Sequence, residues 1–119
     1  SYVEVERGVV VAGIKDQPSH IDIGGNPQVA GFNATNGERL WIFTPDVPTW
    51  NIMAMFTGDG DFVFQTQAGT VYCLGVVDGK VRWRNGPEAI YSQLEGGHRY
   101  LWTDGGTTLG PNGLAYVGS

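Results

Sequence analysis

The sequence predicts an all-β protein of short antiparallel strands, and three observations carry that prediction. Glycine is very common, 19 of 119 residues, and charged residues make up only 16%, against roughly 25% in ordinary globular chains. Valine, threonine and aromatic residues recur between the glycines, which is the composition of strands and tight turns. No window holds an apolar i, i+3, i+4, i+7 pattern without a Gly or Pro break, so almost no helix is expected.

The order of the elements follows from two repeated phrases. "NGERLW" at residues 36–41 and "DGKVRW" at residues 78–83 share a 42-residue offset. With Gly37 set on Gly79, Val29 falls on Val71, Phe32 on Leu74, and Trp41 on Trp83. Each copy is a short apolar strand, a turn closed by glycine, and a second strand carrying tryptophan. Asn-Gly and Asp-Gly supply the positive φ angles of a tight hairpin. Upstream, "GVVVAG" (8–13), "GDFVFQ" (60–65) and "GLAYVG" (113–118) repeat a turn glycine followed by a strand, 52 and 53 residues apart.

The full unit is predicted from about residue 51 to residue 84: strands at 51–56, 61–66, 70–75 and 80–84, separated by turns at 57–60, 67–69 and 76–79. Four short antiparallel strands in a repeat of roughly 40 to 50 residues form a β-propeller blade. Before it three strands are expected, around 3–13, 28–32 and 38–43. After it one or two are expected, around 100–109 and 114–117. The organisation predicted is thus one propeller segment: a partial blade at about 1–44, a complete blade at about 51–84 and a partial blade at about 99–119. Residues 15–28 and 85–98 read as long insertions.

The phrase "VAGFNATNGERLW" resembles the tryptophan-docking phrase of PQQ-like (quinoprotein-type) β-propeller repeats, which runs Ala-x-Asp-x-x-Thr-Gly-Lys-x-x-Trp. The family's Gly and Trp fall on Gly37 and Trp41, and again on Gly79 and Trp83; its Lys falls on Glu38 and Lys80. The polar half differs: the family's Asp is Asn33 and Gly75, its Thr is Asn36 and Asp78, and its Ala is Gly31 and Cys73. The resemblance implies that each Trp stacks on a glycine-containing peptide of a neighbouring blade, a role suited to an indole burying a large flat area. It also implies an extracytoplasmic setting.

Closed propellers have roughly 4 to 8 blades, so a segment of this size is expected to be a fragment of a larger propeller, or to be completed by other protein chains. The chain opens directly in strand-like sequence with no signal-peptide pattern, and so reads as a trimmed or internal piece.

Charge and motif content narrow the function. The net charge is −5 and the seven basic residues are scattered, which argues against nucleic acid and anionic membrane as partners. Apolar runs fall far below the roughly 18 residues of a membrane span. One cysteine, Cys73, allows no internal disulfide and reads as an inert core thiol on a strand. "TGDGD" (57–61) has the look of a calcium loop without the full pattern, and "GPNG" (110–113) at the same place in the repeat makes it a hairpin turn. "HID" (20–22) lacks the further ligands of a metal site. "NAT" (33–35) is an N-glycosylation sequon at Asn33 in a predicted turn. Trp50 and Trp102 lie outside the phased motif and read as surface or pocket aromatics.

With two histidines, both in the insertions, no nucleophilic triad is supported. No catalytic, cofactor-binding or metal residue is assigned. The expected function is a non-enzymatic scaffold for protein binding or assembly, whose partners are other chains or further blades and dock at the insertions. Two alternatives stand beside it. One is part of a PQQ-dependent dehydrogenase, with PQQ and calcium held elsewhere; the other is a structural subunit of a filament or large complex. Trp83→Ala is expected to cost roughly 3–5 kcal/mol if the indole is buried.

Overall fold

A computed structural model describes residues 3–17, 24–86, 107–110 and 114–117. Every regular element among them is a strand. The first sheet holds β1 (Val3–Glu6), β2 (Val9–Ile14), β3 (Gln28–Asn33) and β4 (Arg39–Phe43), in that spatial order. The second holds β5 (Met55–Phe56), β6 (Asp61–Gln65), β7 (Val71–Gly75) and β8 (Val81–Asn85), also in chain order. A two-stranded sheet pairs β9 (Thr107–Leu109) with β10 (Ala115–Val117). All pairings are antiparallel.

The first sheet therefore holds four strands where three were expected from the sequence. The stretch expected as one strand at residues 3–13 folds back on itself at Arg7 and Gly8, with Glu6 opposite Val9. No Asn-Gly or Asp-Gly pair announces this turn. Arg7 itself takes a positive φ of 51°, a region that non-glycine residues seldom occupy. The long insertion at residues 15–28 consequently joins the second and third strands, not the first and second.

The first strand of the second sheet is shorter than expected. Pairing begins only at Met55. Ile52 and Ala54 are buried instead in the core between the sheets, and so serve as apolar linker residues. The expected strand at 100–109 is described only from Thr107; the insertion at 85–98 lies outside the described residues beyond Gly86.

Alternation along the strands decides what faces what. On the first sheet Val9, Val11, Val29 and Trp41 point at the second sheet. There they meet Phe62, Phe64, Tyr72, Leu74 and Val76, with Phe43 and Phe56 at the margin. Aromatic rings form a ladder through this seam. Trp41 stacks on Phe62 at 5.9 Å, Phe62 on Phe64 at 5.8 Å and Phe64 on Tyr72 at 5.5 Å. The other face of the second sheet offers Val63, Val71 and Cys73, against which Ala115 of β10 packs. The sheets are thus successive layers, each pair sharing its own apolar core.

Candidate functional site: the seam between the sheets

The two hairpin turns that carry the repeated phrase are built alike. In the first, the Asn33 amide donates to the Glu38 carbonyl at 2.7 Å and the Gly37 amide to the Asn33 carbonyl at 2.8 Å. In the second, the Gly75 amide donates to the Lys80 carbonyl and the Gly79 amide to the Gly75 carbonyl, both at 2.9 Å. Each turn is tied to its own sheet by one more bond: Ala34 N–H to the Gly8 carbonyl at 2.9 Å, and Val76 N–H to the Gly60 carbonyl at 2.8 Å. The phased glycines share left-handed φ angles, 76° at Gly37 and 66° at Gly79. A bulge follows at the same point in each hairpin, between Gly31 and Phe32 and between Cys73 and Leu74.

Side-chain capping of the turns differs in residue but not in logic. Asn33 Oδ1 accepts from the amides of Thr35 and Asn36 at 2.8 and 3.4 Å, so the sequon asparagine is engaged in its own turn. Asp78 accepts from the Lys80 amide at 3.0 Å. That backbone bond, with Arg82 beside it, holds the Asp78 carboxyl below the ordinary carboxylate range. Arg82 spans two carboxylates, Asp61 at 3.2 Å and Asp78 at 3.2 Å.

Trp41 is 8% exposed, and its ring is held from three directions. Its indole N–H donates to the Val76 carbonyl at 2.8 Å. A Cβ placed on Gly79, across the seam, would come closer than 3.0 Å to the ring, and so would one on Gly31 beneath it. Both glycines are therefore required by space, and Gly79 by its backbone angle as well. Trp83 occupies the same phase on the second sheet but is 44% exposed. The burial on which a large cost of Trp83→Ala depends is not met.

At one end of the seam lie the loops. The buried Gln28 side chain clamps the start of the first insertion: its Oε1 accepts from the amides of Asp16 and Gln17 at 3.0 and 3.1 Å, and its Nε2 donates to the Gln17 carbonyl at 3.1 Å. Asn26 and Thr49 exchange backbone bonds at 2.7 and 3.0 Å. Buried Gln67 reaches across from the second sheet to the Gly24 carbonyl at 3.0 Å. Trp50 is 48% exposed and lies against Gly24.

One cluster has no counterpart in the sequence patterns. Tyr72 donates its hydroxyl proton to Asp46 at 2.6 Å, and Arg84 reaches Asp46 at 2.9 Å and the Tyr72 hydroxyl at 3.3 Å. Burial, then the Asp46 carboxylate, push the Tyr72 phenol above its ordinary range, so at neutral pH it is a hydrogen-bond donor and not a base. The clasp ties the connection between the sheets to β7 and β8 of the second. These residues are 12 to 38 positions apart, which is why no local pattern revealed them.

The remaining candidates find the following places. The turn at residues 57–61 closes through Thr57 N–H to the Asp61 carbonyl at 2.9 Å and a bond from the Thr57 hydroxyl to Asp59. Cys73 is buried in β7 with its thiol pushed up to about 11 by desolvation. Among the described residues, no three His, Cys, Asp or Glu side chains are grouped to hold a metal ion. No helix there is long and apolar enough to cross a membrane. Residues 20–22, His98 and Trp102 lie outside the described residues.

Stacked four-stranded antiparallel sheets in chain order, with the repeated Gly–Trp phrase at the seam, define a β-propeller segment of the PQQ-like repeat class. The family model described as outer membrane protein assembly factor BamB matches residues 25–113, and the chain belongs to that family. Among solved structures it is similar to BamB from Moraxella catarrhalis, with a TM-score of 0.51 and 16% identity. That match covers 71% of this chain and 21% of the other, so this chain spans about a fifth of that structure's length. No curated protein sequence matches.

Proposed function

We propose that this chain is a segment of a non-enzymatic propeller that serves as a protein-binding or assembly scaffold in an extracytoplasmic compartment. The observation that carries the reading is how the repeated phrase is used: Trp41 packs on Gly79 and bonds to Val76 across the seam. In this reading Gly37, Trp41, Gly79 and Trp83 are docking residues that stack one layer on the next. The family's description, an outer membrane protein assembly factor, supports both the role and the setting. Loops carry binding on rigid scaffolds, and here the insertions at 15–28 and 85–98 are the loops with length to spare.

The test is photo-cross-linking in the full-length protein within its native envelope. A cross-linkable residue at Lys15, Trp50 or within 85–98 is expected to give defined protein adducts, and one at Val77 is not. Adducts distributed evenly over all positions, or none in the loops, would reject the scaffold reading. The dehydrogenase alternative is separated by adding PQQ and calcium to the same protein: the scaffold reading expects no new absorbance and no alcohol or sugar oxidation.

A further inference from the structure

We propose that Trp50 is the contact point for a basic partner protein, and that an arginine side chain of that partner stacks on its indole. The proposal rests on the scaffold reading and names the chemistry of one partner.

The chain fixes the backbone that carries this side chain. In the connection between the sheets, residues 46–49 are each held in turn. Asp46 is bound by Tyr72 and Arg84, and Val47 is buried. The Pro48 carbonyl accepts from the Gln67 amide at 3.0 Å, and buried Thr49 exchanges backbone bonds with Asn26. The Asn26 side-chain amide also donates to the Trp50 carbonyl at 3.3 Å. Pro45 and Pro48 narrow the backbone angles further. On the opposite wall, a Cβ on Gly25 would run into the Thr49 carbonyl, and one on Gly24 would stand 3.1 Å from the indole.

Trp50 leaves this frame 48% exposed. The edge of its six-membered ring, at Cζ3 and Cη2, meets Gly24, so an open fraction that large includes a ring face. Trp50 sits at the end of a seam whose two sheets are both described, and not on an outer sheet face. An aromatic side chain on an ordered backbone costs little entropy to engage, which is how binding hot spots are built.

The surroundings select a cation. The chain neighbours of Trp50 are Thr49 and Asn51, and Gly24 and Asn26 lie against it. The other exposed large apolar side chains belong to strands, to Val77 and to Leu114. An apolar ligand would therefore find one ring and no patch around it. A cation gains from the ring itself, through its negative face, and tryptophan is the strongest such ring. The net charge of −5 draws a basic protein toward this surface. Arginine fits better than lysine, because its guanidinium is planar and weakly hydrated. The molecule already uses such a pair once, with Arg84 lying 5.7 Å from the centre of the Tyr72 ring.

The experiment is fluorine NMR of the full-length protein labelled with fluorotryptophan, titrated with the blocked peptide Gly-Arg-Gly-Arg-Gly. The controls are the same peptide with leucine for arginine, and chitotriose, a neutral sugar that also stacks on indoles. The expected result is a saturable shift of the Trp50 resonance, identified by its loss in Trp50→Leu, in the millimolar range for so small a probe. Neither control should produce it. Binding by the variants is read from the fluorescence anisotropy of dye-labelled arginine peptide. Trp50→Leu should weaken it about fivefold, and Trp50→Tyr should keep most of it. Trp83→Leu removes an indole of similar exposure, 44%, and should leave it unchanged. An equal shift from the leucine peptide, a larger one from chitotriose, full binding by Trp50→Leu, or equal losses in Trp50→Leu and Trp50→Tyr would overturn the contact. Loop adducts in the cross-linking experiment without a Trp50 response to the arginine peptide would overturn the contact alone and leave the scaffold reading standing.

Discussion

Trp41 and Trp83 are written by the same phrase and live in different surroundings. Trp41 is closed in by Gly79, Gly31 and the Val76 carbonyl, while Trp83 is 44% exposed. Directly opposite Trp41 on the neighbouring strand is Gly31; directly opposite Trp83 is Cys73. The second tryptophan therefore has a side chain beneath it where the first lies directly on bare glycine backbone. The difference teaches that this motif is half of an interface. Its energetic worth comes from the turn it lands on.

The widest gap should appear on truncation. Trp41→Ala removes a buried indole and its hydrogen bond, and is expected to cost about 3–5 kcal/mol. Trp83→Ala should cost less than about 1 kcal/mol. Urea unfolding of the two variants measures both. Equal losses would mean the two tryptophans are equivalent after all.

The receiving glycines should separate next. Gly79→Ala combines left-handed strain with a Cβ driven into the Trp41 ring, and is expected to cost about 2–4 kcal/mol. Gly37→Ala carries the strain without the clash, about 1–2 kcal/mol. The informative control is Gly79→Ala on a Trp41→Ala background. The clash portion should vanish there, leaving a cost close to that of Gly37→Ala.

Much of this arrangement is legible from residue order. The Asn-Gly and Asp-Gly turns, the alternation in "DFVFQ" and "TVYCLG", and the phase of the two tryptophans place six of the eight strands of the two large sheets. What escapes has physical reasons. The β1–β2 turn uses Arg7 at positive φ, which no turn propensity anticipates. Residues 51–54 have strand composition but spend their apolar side chains in the core before pairing begins. The Asp46–Tyr72–Arg84 clasp and the Gln28 clamp join residues that only the folded chain brings together. The exposure of Trp83 depends on what lies across from it, and a motif carries no record of its neighbour.

A smaller contrast lies beneath the two indoles. Cys73 is buried in the second sheet with its thiol raised to about 11, whereas Gly31 has nothing to titrate. A raised thiol pKa means the folded state holds the proton more tightly. Its contribution is fully present below about pH 9 and is lost as pH climbs through about 11. That difference in proton affinity between the folded and unfolded thiol is worth about 2–3 kcal/mol. The raised Tyr72 phenol acts in the same direction at the upper end of that range. Unfolding free energy measured from about pH 8 to about pH 11 should fall, and Cys73→Ala should flatten the lower part of that decline. A profile unchanged by Cys73→Ala would show that the thiol is not the group responsible.

The smallest contrast is between two ion pairs. Arg39–Asp16, at 3.1 Å, ties β4 to the start of the insertion with both side chains well exposed. Arg84–Asp46, at 2.9 Å, is more sheltered, and its arginine also bonds to the Tyr72 hydroxyl and lies 5.7 Å from the centre of the Tyr72 ring. Exposed pairs contribute little because water and salt screen them and two long side chains must be ordered. Arg39→Ala should therefore change stability by less than about 0.5 kcal/mol. Arg84→Ala should cost about 1 kcal/mol, since it also removes a hydrogen bond and packing over an aromatic face. Raising the salt from about 0.05 to about 0.5 M should erase the first effect and leave most of the second. If Arg84→Ala proves as silent as Arg39→Ala, the clasp adds nothing to the seam, and the apolar ladder with Trp41 holds the two sheets together by itself.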